Sequence, residues 1–231
     1  MVGHRPLEAS IGVRIPARQP MDEKNKNAVE IYNLIAEEYA KKFDLIESDE
    51  DLRFPNIFLS YLKPGWLVLD LGCGTGFSAE YFASKGMKVE GVDFSKNMIA
   101  IAKRNYPNLK FSIADMREFD PDEEKDAVWA GYSLFHFEQD QMERVIERIK
   151  TYLKPSGILG LVFQVGHGEI EPQEPFLQDR KIYIHLYTEN EFVAILEKHG
   201  FEVIDRDIKK AADFEFPYDK ILLIAKRKHT V

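Results

Sequence analysis

The chain has 231 residues, 45% apolar and 30% charged, with a formal charge of −8 and one cysteine, Cys73. Those proportions are those of a globular protein with a sizeable core and exclude collagen-like or disordered chains. The acid excess disfavours duplex binding, which leans on Lys and Arg. A single cysteine excludes an internal disulfide and a cysteine-based zinc site, and fits a reducing, cytoplasmic setting.

At roughly 150 residues per domain, one large domain with an embellishment is expected. Residues 1–20 carry Arg5, Arg14 and Arg18, three prolines and no apolar periodicity. They read as a tail, with a single domain over 21–231. Ala28 to Phe43 has helical spacing at Ile31, Ile35 and Tyr39, and Phe54 to Leu62 forms a second predicted helix. Trp66 to Leu71 is a short apolar run that meets Gly72, Gly74 and Gly76, so a buried strand enters a glycine turn. Phe77 to Ser84 returns to helix and stops at Gly86. Met87 to Val92 is the next strand. Ser95 is placed to cap a helix that must stop before Pro107.

Leu109 to Ile113 and Asp126 to Gly131 read as strands three and four. Asp140 and Glu143 have capping-box spacing ahead of an apolar stripe at Met142, Val145, Ile146 and Ile149. Gly157 to Phe163 is strand five. Glu189 to His199 is a helix ended by Gly200, and Phe201 to Ile204 and Ile221 to Ala225 are the last strands, with no helix between them. The fold class is therefore α/β: a doubly wound, mostly parallel seven-stranded sheet, helices on both faces, ending in an antiparallel strand. The segment 166–187, acidic and proline-bearing at first, reads as a long loop, with its acids solvated.

Ligands of open α/β sheets lie beyond the carboxyl ends of the strands. The glycines after the first strand let a backbone approach such a ligand, and the helix that follows offers unpaired N–H groups. The dinucleotide pattern G-x-G-x-x-G/A fails at Phe77, and no lysine follows to make a P-loop. Asp93, 93 − 70 = 23 residues after Asp70, ends the second strand and suits a ribose diol. Asp115 with Met116 ends the third and suits an adenine amino group and ring. These sites describe an adenosine without phosphates.

With these pieces in order, the chain resembles the class I (Rossmann-like, seven-stranded) S-adenosylmethionine-dependent methyltransferases. Asp70-Leu-Gly-Cys-Gly-Thr-Gly76 resembles the first family motif, Asp93 with Phe94 the second, Asp115-Met116 the third, and Tyr132-Ser133-Leu-Phe135-His136 the fourth. Lys154-Pro-Ser-Gly157 is similar to the turn before strand five. The helix bearing Tyr32 and Tyr39 is similar to one that closes over the cofactor. The resemblance implies an enzyme with S-adenosyl-L-methionine as cofactor. Asp70, Gly72, Cys73, Gly74, Thr75, Gly76, Asp93, Phe94, Asp115, Met116, Tyr132, Ser133, Tyr32 and Tyr39 would be its binding residues.

Methyl transfer to a small organic acceptor is the expected reaction. His136 is the candidate general base, against a plain structural role for that histidine. Phe135, Phe137, Tyr183 and Tyr187 suggest an aromatic acceptor pocket, capped by the helices of 28–62 and the loop 166–187. Acids facing inward from that loop would point to an amine acceptor. No metal, nucleic acid or membrane partner is expected: the H-x-E pair His167 and Glu169 lacks the cysteines of a zinc deaminase. Competing readings are a non-catalytic S-adenosylmethionine-binding module and a protein or RNA methyltransferase. A nicotinamide oxidoreductase is disfavoured by Phe77. The oligomeric state is not legible.

Overall fold

The computed structural model describes residues 21–45, 48–211 and 216–229. The tail expected at 1–20 lies outside the described residues. In chain order the elements are α1 (Glu23–Phe43), α2 (Arg53–Ser60), β1 (Leu67–Leu71), α3 (Phe77–Ser84), β2 (Lys88–Asp93), α4 (Lys96–Asn105), β3 (Lys110–Ile113), β4 (Lys125–Gly131), α5 (Gln139–Tyr152) and β5 (Leu153–Gln164). They continue with β6 (Gly168–Ile170), β7 (Gln173–Glu174), β8 (Leu177–Lys181), β9 (Ile184–Leu186), α6 (Glu189–Lys198), β10 (Phe201–Lys209) and β11 (Lys220–Arg227).

The main sheet has seven strands in the order β10-β11-β5-β4-β1-β2-β3. Its centre is parallel, and β11 runs antiparallel to both β5 and β10, as the missing helix before it implied. The order reverses at β1: β2 and β3 lie to one side, β4 and β5 to the other. A crevice opens at such a point, beyond the carboxyl ends of β1 and β4.

The strands read as unbroken apolar runs because both sheet faces are covered. Leu69, Val128, Ala130, Leu159 and Leu161 face one core with α5, while Val68, Ala127, Trp129, Ile158 and Val162 face the other with Phe58 of α2 and Phe82 of α3. Gly160, the interruption in β5, is the point of closest approach: a Cβ there would stand 2.6 Å from the Phe58 ring and 2.8 Å from Trp129.

Ser95 caps α4 through the Met98 N–H at 3.2 Å, and Gly86 and Gly200 take left-handed φ just past α3 and α6. Three expectations are corrected. Asp140 does not cap α5, which starts at Gln139 after Glu138; Asp140 pairs with Arg144 instead, and Glu143 binds Lys198 and His199. The strand expected at 201–204 runs to Lys209, because Asp205 and Asp207, which break its apolar pattern, are held by Tyr61 and Arg53. The segment 166–187 is no open loop: β6 pairs with β9 and β7 with β8, in two small antiparallel sheets.

Candidate functional site

The site is built from the turn after β1. Gly72 and Cys73 donate their N–H groups to Val92 of β2, which ties the turn to the neighbouring strand. Gly72, Gly74 and Gly76 all have left-handed φ, of 82°, 52° and 87°. Their reasons differ. A Cβ on Gly72 would come within 2.3 Å of Ser133 Cβ, and one on Gly76 within 2.8 Å of the Phe111 ring, whereas one on Gly74 would meet nothing within 4 Å. Gly74 therefore faces open space, the cavity it helps to line.

The acids around this turn are placed by strand ends. Asp93 Oδ2 accepts the Gly74 N–H at 2.9 Å and Oδ1 accepts the Ser95 N–H at 2.7 Å. The carboxylate thus braces the turn and the start of α4, and its remaining lone pairs suit a diol in the cavity it lines. Asp70 is buried and its Oδ2 has no partner among the described residues; burial pushes its pKa up to about 8. Asp44, which sequence reasoning missed, is held by Thr75 Oγ1 at 2.5 Å and has a second unpartnered oxygen, Oδ2. Burial raises its pKa as well. Buried polar atoms are normally paired, so the orphaned oxygens mark where a ligand's donors fit.

The inner cavity is walled by Phe94, Met98, Met116 and Phe137, by Ser133, and by Ala28, Val29 and Tyr32 of α1. Among the described residues lining it there is no Lys or Arg. A phosphate would lie there without a counter-charge; a neutral nucleoside fits. Asp115 is not on this wall. Arg117 engages both its oxygens, with the shortest contact 2.7 Å, and sits 5.9 Å from the Phe94 and Phe137 rings, so the pair backs the wall. Of the pair expected to meet adenine, Met116 alone lines the cavity. Cys73 packs with Phe111 and Ala79, and burial raises its thiol pKa, which suits a filler rather than a nucleophile.

α1 lies over this cavity through specific polar contacts. Asn25 Nδ2 donates to the His136 carbonyl at 2.8 Å, and Asn33 Oδ1 accepts from Ser95 Oγ at 2.9 Å and the Asn97 N–H at 3.1 Å. This docking brings Tyr32 to His136, with Oη and Nε2 2.8 Å apart. His136 Nδ1 stands 2.8 Å from the Tyr183 carbonyl. A carbonyl only accepts, so Nδ1 carries the proton and Nε2 accepts from the Tyr32 hydroxyl. Burial lowers the histidine pKa to about 4, which keeps the ring neutral.

A second, outer cavity shares Tyr32, Tyr39, Gly72, Gly74, Tyr132 and His136 with the first. Phe135 lines it, as expected. The other expected aromatics are corrected. Phe137 belongs to the inner cavity. Tyr183 and Tyr187 line neither: Tyr183 holds His136 by its main chain, and Tyr187 is buried against His185 and Phe192. Strand alternation is the reason. Ile182 and Ile184 point to the outer cavity, so Tyr183, His185 and Tyr187 point away.

The acids of 166–187 are not all solvated. Glu174 is buried, 5% exposed, and lines the outer cavity beside Phe176. Gln164 at the end of β5 also lines it, with Oε1 unpartnered, paired in register with Lys220 of β11. The strand-tip rule could have found Gln164, one residue past the expected end of the strand. Asp44 carries no local signal, being placed by Thr75 across the fold, and Glu174 is placed by the short β7–β8 pairing. Tyr132 is a non-glycine residue at φ 56°, between the cavities, where strained backbone often accompanies function.

Residues 68–157 match a family model described as a methyltransferase domain. Among curated proteins, the chain is 25% identical over 159 residues to a demethylmenaquinone methyltransferase of Renibacterium salmoninarum, covering 68% of this chain and 66% of that one. It is 31% identical over 161 residues to phosphoethanolamine N-methyltransferase 2 of Caenorhabditis elegans, covering 66% of this chain and 36% of the other. The chain thus spans less than two thirds of these relatives. A solved structure of similar fold is the 1,6-didemethyltoxoflavin-N1-methyltransferase of Burkholderia thailandensis with bound 1,6-didemethyltoxoflavin and S-adenosylhomocysteine. It has a TM-score of 0.69 and 19% identity, over 96% of this chain and 99% of that one. Residues 68–157 are thus similar to the methyltransferase-domain family, and the sheet around them has the fold of S-adenosylmethionine-dependent methyltransferases.

Proposed function

We propose that the protein moves a methyl group from S-adenosylmethionine to a small organic acceptor. The observation that carries this reading is the inner cavity: a glycine turn open at Gly74, the Asp93 carboxylate, and no cationic side chain for a phosphate among the described lining residues, with the unpartnered Asp70 oxygen at the adjoining outer cavity. Asp93 would hold the ribose, Met116 and Phe94 the base, and Gly72 to Thr75, Asp70 and Asp44 the methionine end. S-adenosylmethionine supplies a methyl group already activated on a sulfonium.

The chain's own residues position and deprotonate. Holding the acceptor in line and about 3 Å from the methyl group can supply roughly 7–11 kcal/mol. The outer cavity, joined to the inner one at Tyr32, Tyr132 and His136, suits that task. His136 Nε2 is already occupied by Tyr32, so direct attack on an acceptor proton is blocked. The base works through its partner: Tyr32 Oη takes the acceptor proton as its own passes to Nε2. Phe135 and Tyr132 supply aromatic surface for a compact acceptor. Full-length protein incubated with methyl-labelled S-adenosylmethionine and fractionated small molecules should put label into a low-mass product. Label recovered only in protein or RNA would overturn the small-acceptor reading.

A further inference from the structure

Glu174 and the rings beside it form the part of the outer cavity that the proposed reaction does not use. Among the described residues Glu174 accepts one hydrogen bond, from the Phe176 N–H at 3.4 Å, too long to satisfy a carboxylate. No Lys, Arg or His among the described residues stands at ion-pair distance from it. Three of the described lysines share the cavity: Lys209 donates to the Glu50 carbonyl at 3.0 Å, Lys220 lies 5.6 Å from the Tyr132 ring centre, and Lys42 stands in the last turn of α1.

Burying a carboxylate is costly unless a partner is present. Phe176 beside it belongs to a connected run of rings in the same cavity. Tyr39 and Phe43 have ring centres 4.6 Å apart, and Phe43 and Phe176 meet edge to face at 5.8 Å. All line the same cavity. A carboxylate beside aromatic faces is the chemistry that recognises an organic cation: the charge pairs with the acid, and the rings attract it through their negative faces. A neutral or anionic ligand would leave the buried acid unpaired.

Building on the proposed methyl transfer, we infer that the acceptor is an organic amine whose ammonium group, separate from the atom that takes the methyl group, is gripped by Glu174 in the part of the cavity lined by Tyr39, Phe43 and Phe176. Burial raises the Glu174 pKa, a cost that a bound cation offsets. A turn-capping role for Glu174 would need a good bond to Phe176 and no access to the cavity, and neither is observed.

The test uses full-length protein and a matched pair of probes, benzylamine and benzyl alcohol, titrated calorimetrically with and without S-adenosylhomocysteine. Benzylamine should bind at least tenfold more tightly than the alcohol, a margin matching one charge-assisted contact of about 1.5–3 kcal/mol. Glu174→Gln should erase the preference while S-adenosylhomocysteine binding is retained. Phe176→Leu keeps the acid and should shrink the preference, so the inference stays testable if Glu174→Gln misfolds. Equal affinity for the two probes, no binding of benzylamine at millimolar concentration, or an undiminished preference in Glu174→Gln would overturn it. Failure of S-adenosylhomocysteine itself to bind would instead overturn the methyl-transfer reading, which the amine titration without it leaves separate.

Discussion

Replacing Gly74 by alanine separates folding from binding, because its missing Cβ faces the cavity and nothing else. The residue has φ 52°, so alanine there costs about 1–2 kcal/mol of backbone strain. For a domain of this size that lowers Tm by roughly 2–8 °C. No protein atom lies within 4 Å of the added methyl group, so no further loss follows in the unliganded protein. A ligand in the cavity would meet that methyl. At about 100 times its Kd, S-adenosylhomocysteine should stabilise the wild type by about 2.7 kcal/mol, or roughly 5–11 °C. Gly74→Ala should lose most of that gain, since one misplaced methyl costs about 1–3 kcal/mol of fit. Gly72→Ala is the contrast: its Cβ would lie 2.3 Å from Ser133 Cβ, so strain and overpacking add and the unliganded protein itself should lose about 2–5 kcal/mol. Thermal unfolding with and without S-adenosylhomocysteine reads both. A full ligand shift retained in Gly74→Ala refutes the placement of the ligand over this turn.

Asp93→Ala should weaken S-adenosylhomocysteine binding by about 1–3 kcal/mol in calorimetry, as a charged acceptor of buried hydrogen bonds is lost. Asp70→Asn should raise the Tm of the unliganded protein most at pH 8 and above. Its folded pKa, about 8, exceeds the usual 3.8, so its charge destabilises the fold progressively across that window and fully above it; an equal effect at pH 4 would contradict this. His136, with its pKa lowered from 6.5 to about 4, has the opposite sign: the unfolded chain takes up the proton first, so its contribution is whole above pH 6.5 and is lost as pH falls toward 4. His136→Gln should flatten the Tm–pH curve in that interval. Tyr32→Phe and His136→Ala should each cut turnover at least tenfold with little change in S-adenosylhomocysteine affinity; a smaller loss removes the proton relay.

The sheet and the residues around the inner cavity were legible because local rules govern them. Glycines at turns, acids at strand ends and apolar runs between helices place Gly72, Gly74, Asp93 and Met116 without knowledge of distant contacts. Residues whose role depends on a meeting across the fold were not. Asp44 matters through Thr75 and Tyr32 through His136, partners far away in sequence, while Glu174 is turned inward by the short β7–β8 hairpin, whose pairing the apolar pattern does not signal. Asp115 misled for the same reason: its spacing suited adenine, but Arg117, two residues on, takes its carboxylate. Tyr183 and Tyr187 looked like pocket residues because aromatic composition is visible in sequence while the facing of a short strand is not. Their alternation with Ile182 and Ile184 decided it.

Calorimetric titration of the full-length chain with S-adenosylhomocysteine, run beside an identical titration with NAD, addresses the phosphate-free nucleoside cavity most directly. Saturable one-to-one heat with the sulfur nucleoside and none with the dinucleotide is the result this structure predicts. Silence with the first, or binding of the second, would contradict it.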